Sequence, residues 1–130
     1  MPTVLYVLFA LAFMPLLIAA TTAVLRAKQF GHIDNNYPRK QQAEMQGIGA
    51  RLNAAQANSW EALTFFSVVV FIAYASGLPL VRLDTVAIVF LVMRFIHFGV
   101  YALNWATVRT LVFYMCLLCC IYIFYLAASH

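Results

Sequence analysis

The sequence predicts an all-α integral membrane protein, a four-helix bundle running up-down-up-down, and three observations carry that prediction. Hydrophobic residues make up 65% of the chain against 9% charged, and a mean hydropathy of +0.90 does not suit a soluble domain built around one buried core. The apolar residues fall in four continuous blocks, each near the roughly 20 residues that cross a bilayer as a helix. The later blocks are joined by short links, which force sequential helices to pack side by side and antiparallel. Because the blocks are continuously apolar and do not alternate with a period of two, the pattern argues against a β-barrel.

A single domain over residues 1–130 accommodates spans at about 3–25, 55–76, 83–104 and 108–128. The first carries no charge. Its Ile18-Ala19-Ala20 is similar to a signal cleavage site, but the missing basic n-region and the overlong apolar run favour an uncleaved first span. Pro15 within it is tolerated, with a kink, where neighbours re-satisfy the freed carbonyl. The connector over residues 26–50 is the only substantial polar segment. Its Asp34-Asn35-Asn36-Tyr37-Pro38 core is turn chemistry expected to end the first helix, and its plain reading is a solvated link. Ser76-Gly77-Leu78-Pro79 reads as a tight helical hairpin, and the link near Asn104-Trp105-Ala106-Thr107 is equally short.

Orientation follows from the basic residues. Arg26, Lys28, Arg39, Lys40 and Arg51 fall in the first connection and Arg109 follows the third, whereas the second offers only Arg82. The positive-inside rule puts the first and third connections in the cytoplasm and both termini outward. The net charge of +4 is then mostly a cytoplasmic rim, suited to anionic lipid headgroups or an anionic small molecule. No basic and aromatic module for nucleic acid is present.

Two charges interrupt the apolar blocks deeply, Glu61 in the second and Arg94 in the third. A charge at a helix centre costs about 2.5–3.5 kcal/mol on insertion scales, so such a residue faces the bundle interior, pairs, or serves a site. Arg51, Asn58 and Glu61 share one stripe of the second span; Arg94, His97 and Tyr101 share one stripe of the third. Glu61 and Arg94 fall at matching depth, about 15 Å from the cytoplasmic ends at 1.5 Å per residue. Their opposite signs make them candidate partners. Two roles stay open, a buried pair that fixes helix register and a functional cluster. With Arg51 and Arg109 near the same leaflet, the set forms an anion cradle suited to small anionic thiols or carboxylates.

The pattern Asp34-Asn35-x-x-Pro38-Arg39, then Ala54-Ala55-x-x-Asn58-x-x-Glu61-Ala62, then Arg94-x-x-His97-x-x-x-Tyr101 and Arg109-Thr110 resembles the MAPEG family, the membrane-associated proteins in eicosanoid and glutathione metabolism, and within it the bacterial branch. The resemblance covers essentially the whole chain. It implies a homotrimer in the bacterial inner membrane with periplasmic termini, binding glutathione as co-substrate between subunits near the cytoplasmic leaflet. By that resemblance Arg51, Asn58, Glu61, Arg94, His97 and Tyr101 surround glutathione, while Arg109 and Thr110 lie by the thiol. The implied activity is that of a transferase or peroxidase in which a thiolate, stabilised by Arg109, meets a lipophilic electrophile from the bilayer. A nearby guanidinium lowers a thiol pKa, and the thiolate is the nucleophile.

The chain departs from the family pattern at several positions. Ala54, Gln56 and Ala57 stand where members with firm glutathione activity carry basic residues. Thr110 replaces a serine but keeps its hydroxyl, and Phe113 stands where a tyrosine is usual and has no hydrogen to donate. The alternative is therefore a non-catalytic member whose polar cluster assembles the trimer or binds lipid or another anion. Cys116, Cys119 and Cys120 lack His or carboxylate companions and read as small buried hydrophobes; no metal site is indicated. Ser59 and Thr64 have no adjacent base, and one four-helix unit lacks the repeated broken helices of a transporter.

Overall fold

The computed structural model describes residues Met1–His130, entirely as helices and their links: α1 (Thr3–Phe30), α2 (Pro38–Ala43), α3 (Gly47–Ala75), a 3-10 turn (Leu80–Leu83), α4 (Asp84–Ala102) and α5 (Ala106–Ala128). Four of these helices are long and apolar enough to cross a membrane. At 1.5 Å per residue, the 28 residues of α1 and 29 of α3 make rods of about 42 and 43 Å, longer than the roughly 30 Å hydrocarbon layer. Their polar ends therefore project beyond it.

Two hydrogen bonds establish the alternation of directions. The Val4 amide at the start of α1 donates to Asp84 Oδ1 at the start of α4, at 3.0 Å, so α1 and α4 begin at the same end. At the other end, Arg51 Nε near the start of α3 donates to the carbonyl of Ala102 at the close of α4, at 3.2 Å. Asp84 supplies the side-chain acceptor that Pro2, at the N-cap of α1, cannot, satisfying one of the amides a helix leaves open. Asp84→Ala is expected to lower the melting temperature, with Asp84→Asn retaining most of the stability, as read by thermal unfolding in detergent.

The helices end where the sequence supplies a residue that tolerates positive φ. Gly77 (φ 82) closes α3, with the Leu78 amide bonded to the Ala73 carbonyl at 3.1 Å. Asn104 (φ 60) closes α4 in the same way, with the Trp105 amide on the Val100 carbonyl at 3.0 Å. Both are Schellman closures, for which glycine first and asparagine second are the suitable residues. Pro15 sits inside an uninterrupted α1.

The connector is exposed along nearly all of residues 31–40, as a solvated link would be, and it carries its own order as well. The first helix does not wait for Asp34 but ends at Gly31 in left-handed conformation, and α3 begins at Gly47, ahead of the apolar block that starts at about 55. Between them the side chains supply the missing order. Asp34 Oδ1 accepts from the Asn36 and Tyr37 amides, each at 2.9 Å, while Gln41 bonds the Asp34 amide and the His32 carbonyl, each at 3.0 Å. Arg26 Nη1 reaches the Pro38 carbonyl at 3.3 Å, tying α1 to α2. Local side-chain bonds to the backbone thus order a segment that stays exposed.

The core lies toward the end where α1 and α4 begin. Val4, Val7 and Leu11 of α1 meet Phe66, Val69, Val70 and Ala73 of α3, Ala87 and Phe90 of α4, and Cys116, Cys119, Cys120 and Ile123 of α5. At its centre the Phe66 and Phe90 rings stack with centroids 4.3 Å apart. The three cysteines are free and buried.

Candidate functional site

Toward the opposite, polar end, the apolar core gives way to a layer of buried polar side chains. Ser59 occupies the buried stripe of α3 together with Ala55 and Phe66. Its hydroxyl donates to the Ala55 carbonyl at 2.9 Å, leaving its lone pairs for Arg94, whose Nη2 lies 3.4 Å away. Arg94 is 1% exposed, and its Nη1 has no hydrogen-bond partner.

The expected pairing of Glu61 with Arg94 is corrected by this geometry. Arg94 finds Ser59, whereas Glu61 lies on the exposed side of α3 and accepts from Asn58 Nδ2 at 3.3 Å. The reason lies in the helix face. Ser59 follows Ala55 by one turn onto the stripe that faces α4, while Glu61 is rotated away from it. Ser59 has no neighbouring base to mark it in the sequence, and its spacing to Ala55 and Phe66 is what places it on the buried stripe.

The remaining candidates gather in a neighbouring cleft of about 170 Å³, lined by Asn58, His97, Tyr101, Arg109, Thr110 and Phe113, with Tyr114 at its edge. Three helices supply them, Asn58 from α3, His97 and Tyr101 from α4, and the rest from the first turns of α5. The Arg109 guanidinium lies over the Tyr101 ring, 4.4 Å from its centroid, a cation–π contact that holds the cation at the cleft. His97 packs edge-on against the same ring at 5.5 Å. The Thr110 hydroxyl donates to the Ala106 carbonyl at 3.1 Å, so its lone pairs face outward.

Two polar atoms in this cleft have no partner, Asn58 Oδ1 and His97 Nδ1; His97 is 2% exposed. Buried polar groups are normally paired. A buried Asn oxygen and an imidazole nitrogen that donates or accepts according to its tautomer thus lie without partners in residues lining the cleft that also holds the Arg109 cation.

Glu61 and Arg94 line a second, mainly apolar cavity of about 190 Å³ with Ala62, Phe65, Phe90, Phe113 and Cys116 among its walls. Phe113 is common to both, so the two spaces are neighbours divided by one ring. Arg51 stands apart from both, engaged through Nε with Ala102. The structure thus brings together Asn58, His97, Tyr101, Arg109 and Thr110, places Glu61 and Arg94 next door, and uses Arg51 to hold the end of α4.

A family model described as the MAPEG family matches residues 3–129. No curated protein matches the chain, and no solved structure does. The match runs through all four membrane-spanning helices and both cavities, and on that ground the chain belongs to the MAPEG family.

Proposed function

We propose that the protein is a membrane-bound glutathione-dependent transferase or peroxidase acting on lipophilic electrophiles, with Arg109 as the group that stabilises the thiolate. The observation that carries this reading is the pair of buried unpartnered atoms, Asn58 Oδ1 and His97 Nδ1, in two residues that line the same cleft as the Arg109 guanidinium. Glutathione has amide and ammonium donors for those two acceptors and anionic groups for the cation, so the residues present fit it. When bound, it supplies the thiol nucleophile.

The chain's own residues then divide the work. Asn58 and His97 orient the peptide by accepting its N–H groups, and the Tyr101 ring holds the Arg109 cation. Arg109 offers its N–H edge to the sulfur and stabilises the negative charge that forms there, a fixed cation needing no reorganisation. Thr110 adds a hydroxyl at the same mouth. Phe113 and the apolar cavity behind it exclude water and present a hydrocarbon surface to the acceptor, so that positioning joins electrostatics in lowering the barrier. Arg51 retains its terminal nitrogens for a carboxylate at the rim.

Assembly belongs to the same proposal. Glu61 is exposed along α3 within a membrane span, beside exposed Ala54 and Ala57 on the same face. A carboxylate is costly against lipid, and small residues allow close helix approach, which supports a homotrimer that covers this face. The polar end, which carries the basic connector, is assigned to the cytoplasm of an inner membrane, with periplasmic termini.

A second reading, a non-catalytic member whose polar cluster assembles subunits or binds another anion, is favoured by Ala54, Gln56 and Ala57, which leave α3 without cations along that stretch. Titration of glutathione into the detergent-purified protein, followed by calorimetry and by thiolate absorbance, separates the two. Saturable binding with thiolate formation is expected; absence of heat and thiolate at millimolar ligand would overturn the enzymatic reading.

A further inference from the structure

Ser59 lines neither cavity, yet with Arg94 it forms the one hydrogen bond that joins the side chains of two helices. Both residues are buried, Ser59 at 5% and Arg94 at 1% exposure. The hydroxyl proton is spent on the Ala55 carbonyl at 2.9 Å, so the place of Oγ is set by the backbone of α3, and Arg94 Nη2 comes to it from α4 at 3.4 Å. As a source of stability the arrangement is poor. A buried guanidinium whose Nη1 lacks a partner recovers little of the hydration it gave up, and apolar side chains of similar volume commonly stabilise as well. What such a bond supplies is direction.

The turn at Gly77 and the Phe66–Phe90 stack hold α3 and α4 together toward one end, while Ser59 lies about 24 Å along α3 from its close at Ala75. Apolar packing is non-directional, so it leaves the rotation of α4 about its own axis loosely set at the polar end. A hydrogen bond depends on angle as well as distance. The neighbours of the two partners show what depends on that rotation. Asn58 precedes Ser59, His97 follows Arg94 by one turn, and both line the cleft that holds the Arg109 cation. We infer that Ser59 is a positioning residue: by accepting from Arg94 it fixes the rotation of α4 against α3 that brings Asn58 and His97 to one cleft, and through them it sets the affinity for glutathione. The inference rests on the glutathione reading and adds to it a residue that touches no ligand.

The test is titration of glutathione into the full-length Ser59→Ala and Ser59→Thr variants in detergent, read by calorimetry, with thiolate absorbance at saturation and a thermal melt alongside. Ser59→Ala is expected to weaken binding about tenfold, the scale of one lost hydrogen bond to a charged group. The thiolate formed per bound glutathione should stay at the wild-type level, because Arg109 is untouched. Ser59→Thr keeps both bonds, since a threonine hydroxyl back-bonds in the same way, and should bind within about twofold of the wild type. Ser59→Cys keeps the volume with a weaker acceptor and should fall between the two, which carries the test if the alanine variant does not fold. Thr64→Val removes a similar back-bonded hydroxyl on the exposed side of α3 and should change nothing. Wild-type affinity in Ser59→Ala, an equal loss in Ser59→Thr or Thr64→Val, or a melt that falls with no change in affinity would overturn the inference. Failure of the wild type to bind would overturn the glutathione reading and the inference with it.

Discussion

Replacing Arg109 by alanine is expected to reduce thiolate formation and glutathione-dependent turnover by about 10²-fold, the scale on which a single charge-stabilising donor acts. A cation within reach of a sulfur lowers its pKa by about one to three units, so the fraction ionised at neutral pH falls accordingly when the cation is lost. The folded bundle should hardly register the change. Arg109 is only half-buried, and its intramolecular contact is the stack on Tyr101, worth about 0.5–1 kcal/mol at such a site. Arg109→Lys separates charge from shape: the ammonium keeps the positive charge but lacks the planar surface that lies on the phenol, so intermediate thiolate formation is expected. Stopped-flow thiolate absorbance beside a thermal melt reads both quantities. Full turnover in Arg109→Ala would sink the assignment.

The second large effect is structural. Phe90→Ala should destabilise the subunit by about 2–3 kcal/mol. That figure lies below the usual cost in water, because lipid is as apolar as the side chain and the packing term alone remains. The ring is 1% exposed and stacks on Phe66, and Phe90 also forms a wall of the cavity that holds Arg94. Its removal joins that cavity to the core. Phe66→Ala should cost a similar amount, and the double variant should cost less than the two together, because each single change already breaks the stack. Additive losses in chemical unfolding would show that the two rings act independently.

Much of the fold was legible because lipid leaves a chain few options. Continuous apolar blocks have to be helices, and Gly77 and Asn104 mark where two of them stop. The first helix continues past its apolar block, through Arg26 and Lys28 to Phe30, because hydropathy measures the depth of the membrane, not the length of the helix. Short α2 escaped notice for a related reason. Its order rests on Asp34 and Gln41 bonding the backbone, and such bonds leave no periodic trace.

Within the site, helical spacing placed His97 and Tyr101 on one face, and they stay together. What spacing leaves open is rotation between helices. Arg94 and Glu61 matched in depth and sign, yet α3 turns Ser59 toward α4 in place of Glu61. Arg51 likewise shares a stripe with Asn58, and its Nε donates to the Ala102 carbonyl across on α4. Depth is a property of one sequence, whereas facing is a property of two helices packed together.

The contact between Arg109 and Tyr101 spans nothing more than the Asn104 turn, and a loop that short costs little to close. The cation and its aromatic support therefore travel as one hairpin. In evolutionary terms they form a cassette: a lineage could exchange the α3 side chains or the cavity walls around the cleft without having to rediscover how to hold an arginine over an aromatic ring at its mouth.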